Sequence, residues 1–367
     1  CTISGNMLTG QKAEGAGIYL GNGDDYLWYQ QFKIVNCTIT DNIAIATAGI
    51  SKGGGLFCER SVSPILINCK VSNNSADKGG AMFFKDCNPT LVNCLVSGNI
   101  SAPDYGCICC DDATLTFANC TIVGNNTFVL ETRRGIFTNS IIYNNNPCNP
   151  LQQIKRKPYT SYKPQVSYCC IQNGWPGQGN IDTDPCFIAA GYWDPNGTPT
   201  DASDDFWVEG DYRLRRKSAC VDSGDPMVYI MHPIDLAGEP RFSGAWVDIG
   251  AYEFQDIPAF EAQLKIIPDK ISPKSKGCFI MAILTLPPGV NISEISHEPL
   301  VFYPGGIASL NWYPCWNKLI ATFDRSTVLS ALPDAGTVEV EVIGLLSNGQ
   351  YFYGTDSLRV MERHWPW

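Results

Sequence analysis

Between Cys1 and Asn149, apolar residues fall in short runs that alternate with polar side chains and stop at Gly, Asn or Pro. No stretch there sustains a period of 3.6, so the pattern predicts short β-strands and no helix. The runs also recur. Cys1-Thr-Ile-Ser-Gly-Asn6, Asn36-Cys37-Thr-Ile-Thr-Asp-Asn42, Asn68-Cys69-Lys-Val-Ser-Asn-Asn74, Asn93-Cys94-Leu-Val-Ser-Gly-Asn99 and Asn119-Cys120-Thr-Ile-Val-Gly-Asn125 are near-copies, with a shorter echo at Asn139-Ser140-Ile-Ile-Tyr-Asn144. Cys69 to Cys94 is 25 residues and Cys94 to Cys120 is 26. A second motif keeps the same time: Gly15-Ala-Gly-Ile18, Gly53-Gly-Gly-Leu56, Gly79-Gly-Ala-Met82, Tyr105-Gly-Cys-Ile108 and Arg134-Gly-Ile136.

Each unit thus holds a Gly-rich bend, a strand, a polar turn, a second strand, then Asn-Cys and a third strand. This period predicts a right-handed parallel β-helix, with coils stacked about 4.8 Å apart. Leu56, Met82, Ile108 and Ile136 are expected in one inward column. Leu91, Cys94 and Val96 should point inward, and Val92 and Leu95 outward. The Asn before each Cys suits a left-handed bend, and its stacked copies are expected to hydrogen-bond from coil to coil.

From about Asp256 the alternating runs lengthen. Ala262–Ile267, Gly277–Leu286, Leu319–Asp324, Thr337–Ile343 and Phe352–Val360 read as strands of an immunoglobulin-like β-sandwich, with Asn348-Gly349 as a hairpin turn. The expected fold class is all-β: a right-handed parallel β-helix over 1–255, with a capping segment at about 150–255, followed by a β-sandwich over 256–367.

Composition narrows the function. Gly 34 and Pro 24, with 17% charged residues, suit a turn-rich all-β chain. A net charge of −10 argues against nucleic acid as a partner. No apolar run of about 18 residues offers a transmembrane segment. No Ser-His-Asp set, P-loop or dinucleotide motif occurs. Among 17 cysteines, Cys37, Cys69, Cys94 and Cys120 share one repeat position and are expected to stack as small buried hydrophobes. At least one disulfide is expected as well. Cys107-Ile-Cys109-Cys110 is the best metal candidate among them, with no His nearby.

Past Asn149 stand Gly174-Trp-Pro-Gly-Gln-Gly-Asn180-Ile-Asp, Asp211-Tyr-Arg-Leu214, Cys220-Val-Asp-Ser-Gly-Asp-Pro226, Asp235-Leu-Ala-Gly-Glu-Pro-Arg241 and Val247-Asp-Ile-Gly-Ala-Tyr-Glu253. In this order they resemble the terminal segments of right-handed β-helix repeat proteins abundant in planctomycete-type bacteria. The resemblance covers roughly residues 1–255. The Gly-Gly-Ala repeats are more loosely similar to polymorphic outer-membrane adhesins. This implies an exported, cell-surface or extracellular protein and no particular reaction. On physical grounds, Cys220 to Glu253 is expected to cap the final coil, with Arg241 and Asp248 paired inside it.

Three sets of residues carry candidate chemistry. By the 26-residue period, Arg60, Asp86 and Asp112 form a column, with Glu59, Lys85 and Asp111 beside it. If the chain is an enzyme, a polysaccharide lyase or glycoside hydrolase would use that column, because such reactions need carboxylates and a base on one face. Otherwise it is a ladder of stacked opposite charges. Asp194, Asn196, Thr198 and Asp201 crowd oxygens into a Gly/Pro loop, a candidate Ca²⁺ site without the twelve-residue register of the common calcium loop. Trp28, Trp175 and Trp193 are candidate glycan contacts.

The leading expectation is a non-catalytic extracellular structural or adhesive protein, whose partners are copies of itself or other surface proteins. A polysaccharide-active enzyme and a non-catalytic glycan-binding protein are the alternatives. Cys1-Thr-Ile-Ser begins in the third strand of a coil, so the start carries no information on targeting. Head-to-tail self-association is expected at that uncovered coil, with the tail Arg363-His-Trp-Pro-Trp367 docking into another chain.

Overall fold

Three parallel sheets carry the repeats in the computed structural model, and successive units add one strand to each. The first sheet stacks Ile18–Leu20, Leu56–Glu59, Met82–Lys85, Ile108–Asp111, Leu130–Thr132 and Ile154–Arg156. The second stacks Lys33–Val35, Ile65–Ile67, Thr90–Val92, Thr114–Ala118, Arg134–Thr138 and Gln165–Ser167. The third stacks Thr2–Ser4, Thr38–Thr40, Lys70–Ser72, Leu95–Ser97, Thr121–Val123, Ile141–Tyr143 and Cys170–Ile171. The structure describes residues 1–21, 32–60, 63–132, 134–145, 153–156, 163–198, 204–225, 232–255, 260–272, 277–297, 299–303, 307–332, 335–347 and 351–361. Among them, no helix is long and apolar enough to cross a membrane.

Leu56, Met82 and Ile108 form one inward column, which Leu130 and Ile154 continue. Ile136 does not join it. It lies in the second sheet opposite Thr116 and Gln165, and is exposed. The coil there has shortened: Cys107 bonds to Val129, 22 residues on, and Cys120 to Ser140, 20 residues on. Arg134-Gly-Ile136 is therefore a second strand and not a further Gly bend. Leu91, Cys94 and Val96 face the main core as expected. Leu95 faces outward, yet it and Val92 are buried.

The bends are left-handed. Asn36, Asn68, Asn93, Asn119 and Asn139 have φ between 49° and 53°. The coil-to-coil ladder, however, is built by a different asparagine, six residues after the bend position. Asn6, Asn42, Asn74, Asn99, Asn125 and Asn145 are linked in succession, each donating from both its backbone N–H and its Nδ2 to Oδ1 of the next, and Gln153 ends the row. From Asn42 to Asn145 these side chains are fully buried, which keeps the bonds out of competition with water. The bend asparagines instead turn their amides outward.

The shared cysteine position has a further logic. The thiols of Cys37, Cys69, Cys94, Cys120 and Cys169 each donate to the carbonyl two residues earlier, and Ser140 does the same with its hydroxyl. The slot therefore takes a small donor, which satisfies a carbonyl at the corner between strands. Every described cysteine is a free thiol, so the expected disulfide is not formed among them; Cys148 lies outside the described residues.

The chain divides into two compact units, Cys1–Gln255 and Asp256–Trp367. In the second, Gln263–Ile267, Phe279–Thr285, Lys318–Asp324 and Asn311–Cys315 make an antiparallel sheet. The other sheet is centred on the pair Gly336–Leu345 and Tyr351–Val360. Alternate residues such as Ile280, Ala282, Leu284, Phe323, Val342 and Phe352 form one buried cluster, so this unit is a β-sandwich. Asn348-Gly349 lies outside the described residues.

Candidate functional site

The outer surface of the first sheet holds the charge column. Arg60, Asp86 and Asp112 occupy one left-handed bend in successive coils, with φ of 60°, 52° and 52°, and all three are exposed. Beside them, Glu59 accepts from the Tyr19 hydroxyl at 2.7 Å, and Arg60 and Lys85 lie 3.8 and 4.0 Å from its carboxylate. Lys78 pairs with Asp111 at 3.5 Å and Lys52 with Glu14 at 3.0 Å. The Glu59 hydrogen bond pushes the Tyr19 hydroxyl up to about 12. Tyr19, Phe57 and Phe83 stack with centroids 5.3 and 5.4 Å apart, and Lys52 and Lys78 fold over Phe83. Positive and negative side chains thus interleave along this flank.

The candidate calcium loop closes on itself. Asp194 accepts from the Asn196 backbone N–H at 2.9 Å, and the Thr198 hydroxyl donates to Asp204 at 2.7 Å. Asp201 lies outside the described residues. No group of three or more His, Cys, Asp or Glu side chains among the described residues could hold a metal ion.

Trp28 also lies outside the described residues. Trp175 packs on the β-helix core, in a segment that folds over the last coil: Tyr168 N–H bonds to the Gln178 carbonyl, and Asn180 Nδ2 donates to the Trp175 carbonyl. Trp193 meets Trp207 edge-on at 5.5 Å. Trp207 in turn lies against Gly98 and Gly124 on the outside of the third sheet.

The segment expected to cap the final coil does so only in its first part, and Cys220 to Glu253 does something else. Residues 173–181 cover the end of the helix, while described residues between Phe187 and Tyr252 pack along its flank on the third sheet. There Leu95, Val123, Ile141 and Cys170 form a second core with Phe187, Trp207, Tyr212, Leu214, Cys220, Ile249 and Ala251. Part of this segment is a strap across the coil bends, and it engages the outward asparagines one after another. Asn68 Nδ2 lies 3.4 Å from His232 Nδ1, and Asn93 Nδ2 donates to the Ile234 carbonyl at 2.7 Å. Asn119, with its amide oxygen turned to the guanidinium, accepts from Arg241. Asn139 accepts from the Asp225 N–H at 2.7 Å.

Asp235, Arg241, Asp248 and Glu253 of the last two motifs are buried at the fastening point. Asp235 accepts from the N–H groups of Ala237, Glu239 and Glu253, and Asp222 from those of Ala245 and Trp246. Arg241 donates to the carbonyls of Asp248 and Gly250, and its ion pair is with Glu253 at 3.7 Å. The expected Arg241–Asp248 link is therefore made through the Asp248 backbone; the Asp248 carboxylate accepts from the Asp222 and Phe254 N–H groups. Burial raises Asp248 to about 6 and Glu253 to about 8, and lowers Arg241. Loss of water around the two carboxyls is the main cause, and the Arg241 charge beside them works against it.

One polar site was not foreseen. The outward residues that follow each Cys read Thr2, Thr38, Lys70, then Leu95, Thr121, Ile141 and Cys170. From Leu95 onward they are buried under the terminal segment; the first three are not. The turn towards apolar side chains, with Thr121 as the exception, was visible in the sequence, but its cause was not. A cleft of about 360 Å³ opens where the strap stops, lined by Asn36, Thr38, Asn68, Lys70, Leu236 and Gly238 among others. In the sandwich unit, a cleft of about 600 Å³ is lined by residues including His297, Pro299, Trp312 and Pro314.

Against known proteins, the family model described as right handed beta helix region matches residues 1–157. No curated protein and no solved structure matches the chain.

Proposed function

We propose that the chain is a non-catalytic structural or adhesive protein of the cell exterior, a stiff β-helix that presents its flank to other surface molecules. One observation carries this reading: Asp235, Arg241, Asp248 and Glu253 of the terminal motifs are buried in the strap and bonded to backbone groups, so they fasten the flank and face no substrate. The Asn ladder and the strap both tie coil to coil along the stacking direction, as a load-bearing or display scaffold requires. On this reading the Arg60, Asp86 and Asp112 column is an exposed charge ladder, whose pairs each contribute at most about 1 kcal/mol.

The test is incubation of the full chain with a panel of neutral and acidic polysaccharides, alongside a cell-adhesion or pull-down assay. Binding to surface material without new reducing or unsaturated ends is expected. Cleavage that disappears on Asp86→Asn or Asp112→Asn, in a folded protein, would replace this reading with the polysaccharide lyase or hydrolase alternative.

A further inference from the structure

We propose that the cleft where the strap ends binds an acidic saccharide, its anionic group on Lys70 and its hydroxyls on Asn36 and Thr38. This rests on the surface-protein reading and adds a ligand class to it.

Three polar groups converge there without partners. Asn36 is the next left-handed bend in the row that the strap occupies from Asn68 to Asn139. Each of those four asparagines meets a partner from the strap. The Asn36 amide has none among the described residues, and it lines the cleft. Thr38 and Lys70 are register partners on adjacent strands of the third sheet, so their side chains leave the same face about 4.8 Å apart. Neither the Thr38 hydroxyl nor the Lys70 ammonium has a partner among the described residues. Lys52, Lys78 and Lys85, at or beside the first sheet, by contrast, each approach a carboxylate.

The chemistry selects the ligand. The Lys70 ammonium attracts an anion locally, against a net chain charge of −10 that disfavours long polyanions. A hydroxyl and a carboxamide beside it suit neighbouring hydroxyls, since each both donates and accepts. Leu236 gives the cleft an apolar wall, and its volume of about 360 Å³ falls at the small end of ligand sites, about 300–1,000 Å³. Asp235 also lines it, but its carboxylate is already bonded to three backbone N–H groups of the strap. A sugar ring bearing a carboxylate or a sulfate meets all of these conditions. An uncharged sugar leaves Lys70 unpaired.

Titration calorimetry of the full chain with a hexuronate tetrasaccharide, a sulfated tetrasaccharide and an uncharged tetrasaccharide tests the site. One acidic probe is expected to bind about tenfold or more tighter than the uncharged one, and to weaken as salt is added. Which probe it is separates carboxylate from sulfate. Lys70→Met keeps the aliphatic stem and should lower that affinity about tenfold, while Lys52→Met on the other sheet should leave it unchanged. The urea midpoint of each variant confirms folding. The proposal is overturned if neither acidic probe binds at about 10 mM, or if Lys70→Met binds as the unaltered chain does. Adhesion that persists without binding of either probe would sink this site and leave the surface-protein reading standing. Binding followed by cleavage of the probe would support the site and sink the non-catalytic reading.

Discussion

The side-chain amide of Asn99 donates to Oδ1 of Asn125 at 2.9 Å, and the Asn99 backbone N–H donates to the same oxygen at 3.0 Å. Nδ2 of Asn99 also donates to the carbonyls of Val71 and Ser97, while its own Oδ1 accepts twice from Asn74. One buried side chain thus satisfies groups in three coils. Asn99→Ala is expected to cost about 3–5 kcal/mol, because it strands several buried donors and acceptors. Asn88→Ala, at an exposed turn, should cost about 1 kcal/mol or less. Urea unfolding midpoints measure both; equal losses would refute the ladder as a main source of stability.

The cysteine slot predicts an inverted preference. Cys94 donates to the Val92 carbonyl, as Ser140 does to Thr138 in a later coil. Cys94→Ser keeps the donor and should stay within about 1 kcal/mol of the unaltered chain. Cys94→Val, though more apolar, loses the donor and overfills the column, at about 2 kcal/mol. Burial raises the Cys94 thiol, so alkylation at neutral pH should leave it unlabelled until the chain unfolds. A Val variant as stable as the Ser variant would show that the donor is irrelevant.

Gly5 and Gly124 both hold a positive φ of 67°. A Cβ at Gly5 meets nothing within 4 Å, whereas at Gly124 it would overlap the Trp207 ring. Gly5→Asn should therefore be near neutral, since Asn73 fills an equivalent bend at φ 54°. Gly124→Asn should displace Trp207 and weaken the terminal segment by about 2 kcal/mol or more. The readout is tryptophan fluorescence, red-shifted in the second variant and unchanged in the first.

The strap should loosen as pH rises. Asp248 and Glu253 are acids held up at about 6 and about 8. Their unfolded values are near 4, so their contribution to stability is full below about pH 4 and is lost as pH passes 6 and then 8. The thermal midpoint of the β-helix unit is expected to fall between about pH 5 and 8.5. Glu253→Gln cannot ionise and should flatten the upper part of that loss. A midpoint that rises over this range would contradict the assignment.

Much of this architecture was legible in the residues. The 25- and 26-residue spacings, the left-handed asparagines and the alternation around Leu91, Cys94 and Val96 determined the β-helix, because every coil must bury the same stripe at the same phase. Five strands of the second unit were read from their alternation, but Val301–Tyr303, Asn311–Cys315 and the short helix Arg325–Ser330 were not. The sequence could not show that the row of hydrogen-bonded asparagines would be Asn42 to Asn145 and not Asn36 to Asn139. Both rows share one period, and only their placement inside or outside the coil separates them. Nor could it show that Ile136 would leave its column, since the shortened coil becomes evident only when strands are paired. Above all, tertiary structure decided what covers what. The repeat specifies contacts between neighbouring coils, about 25 residues apart. The strap joins Asn93 to Ile234, 141 residues away, through a side chain and a backbone carbonyl that carry no periodic signal. Only folding shows that the strap reaches back as far as Asn68 and leaves Asn36, Thr38 and Lys70 uncovered.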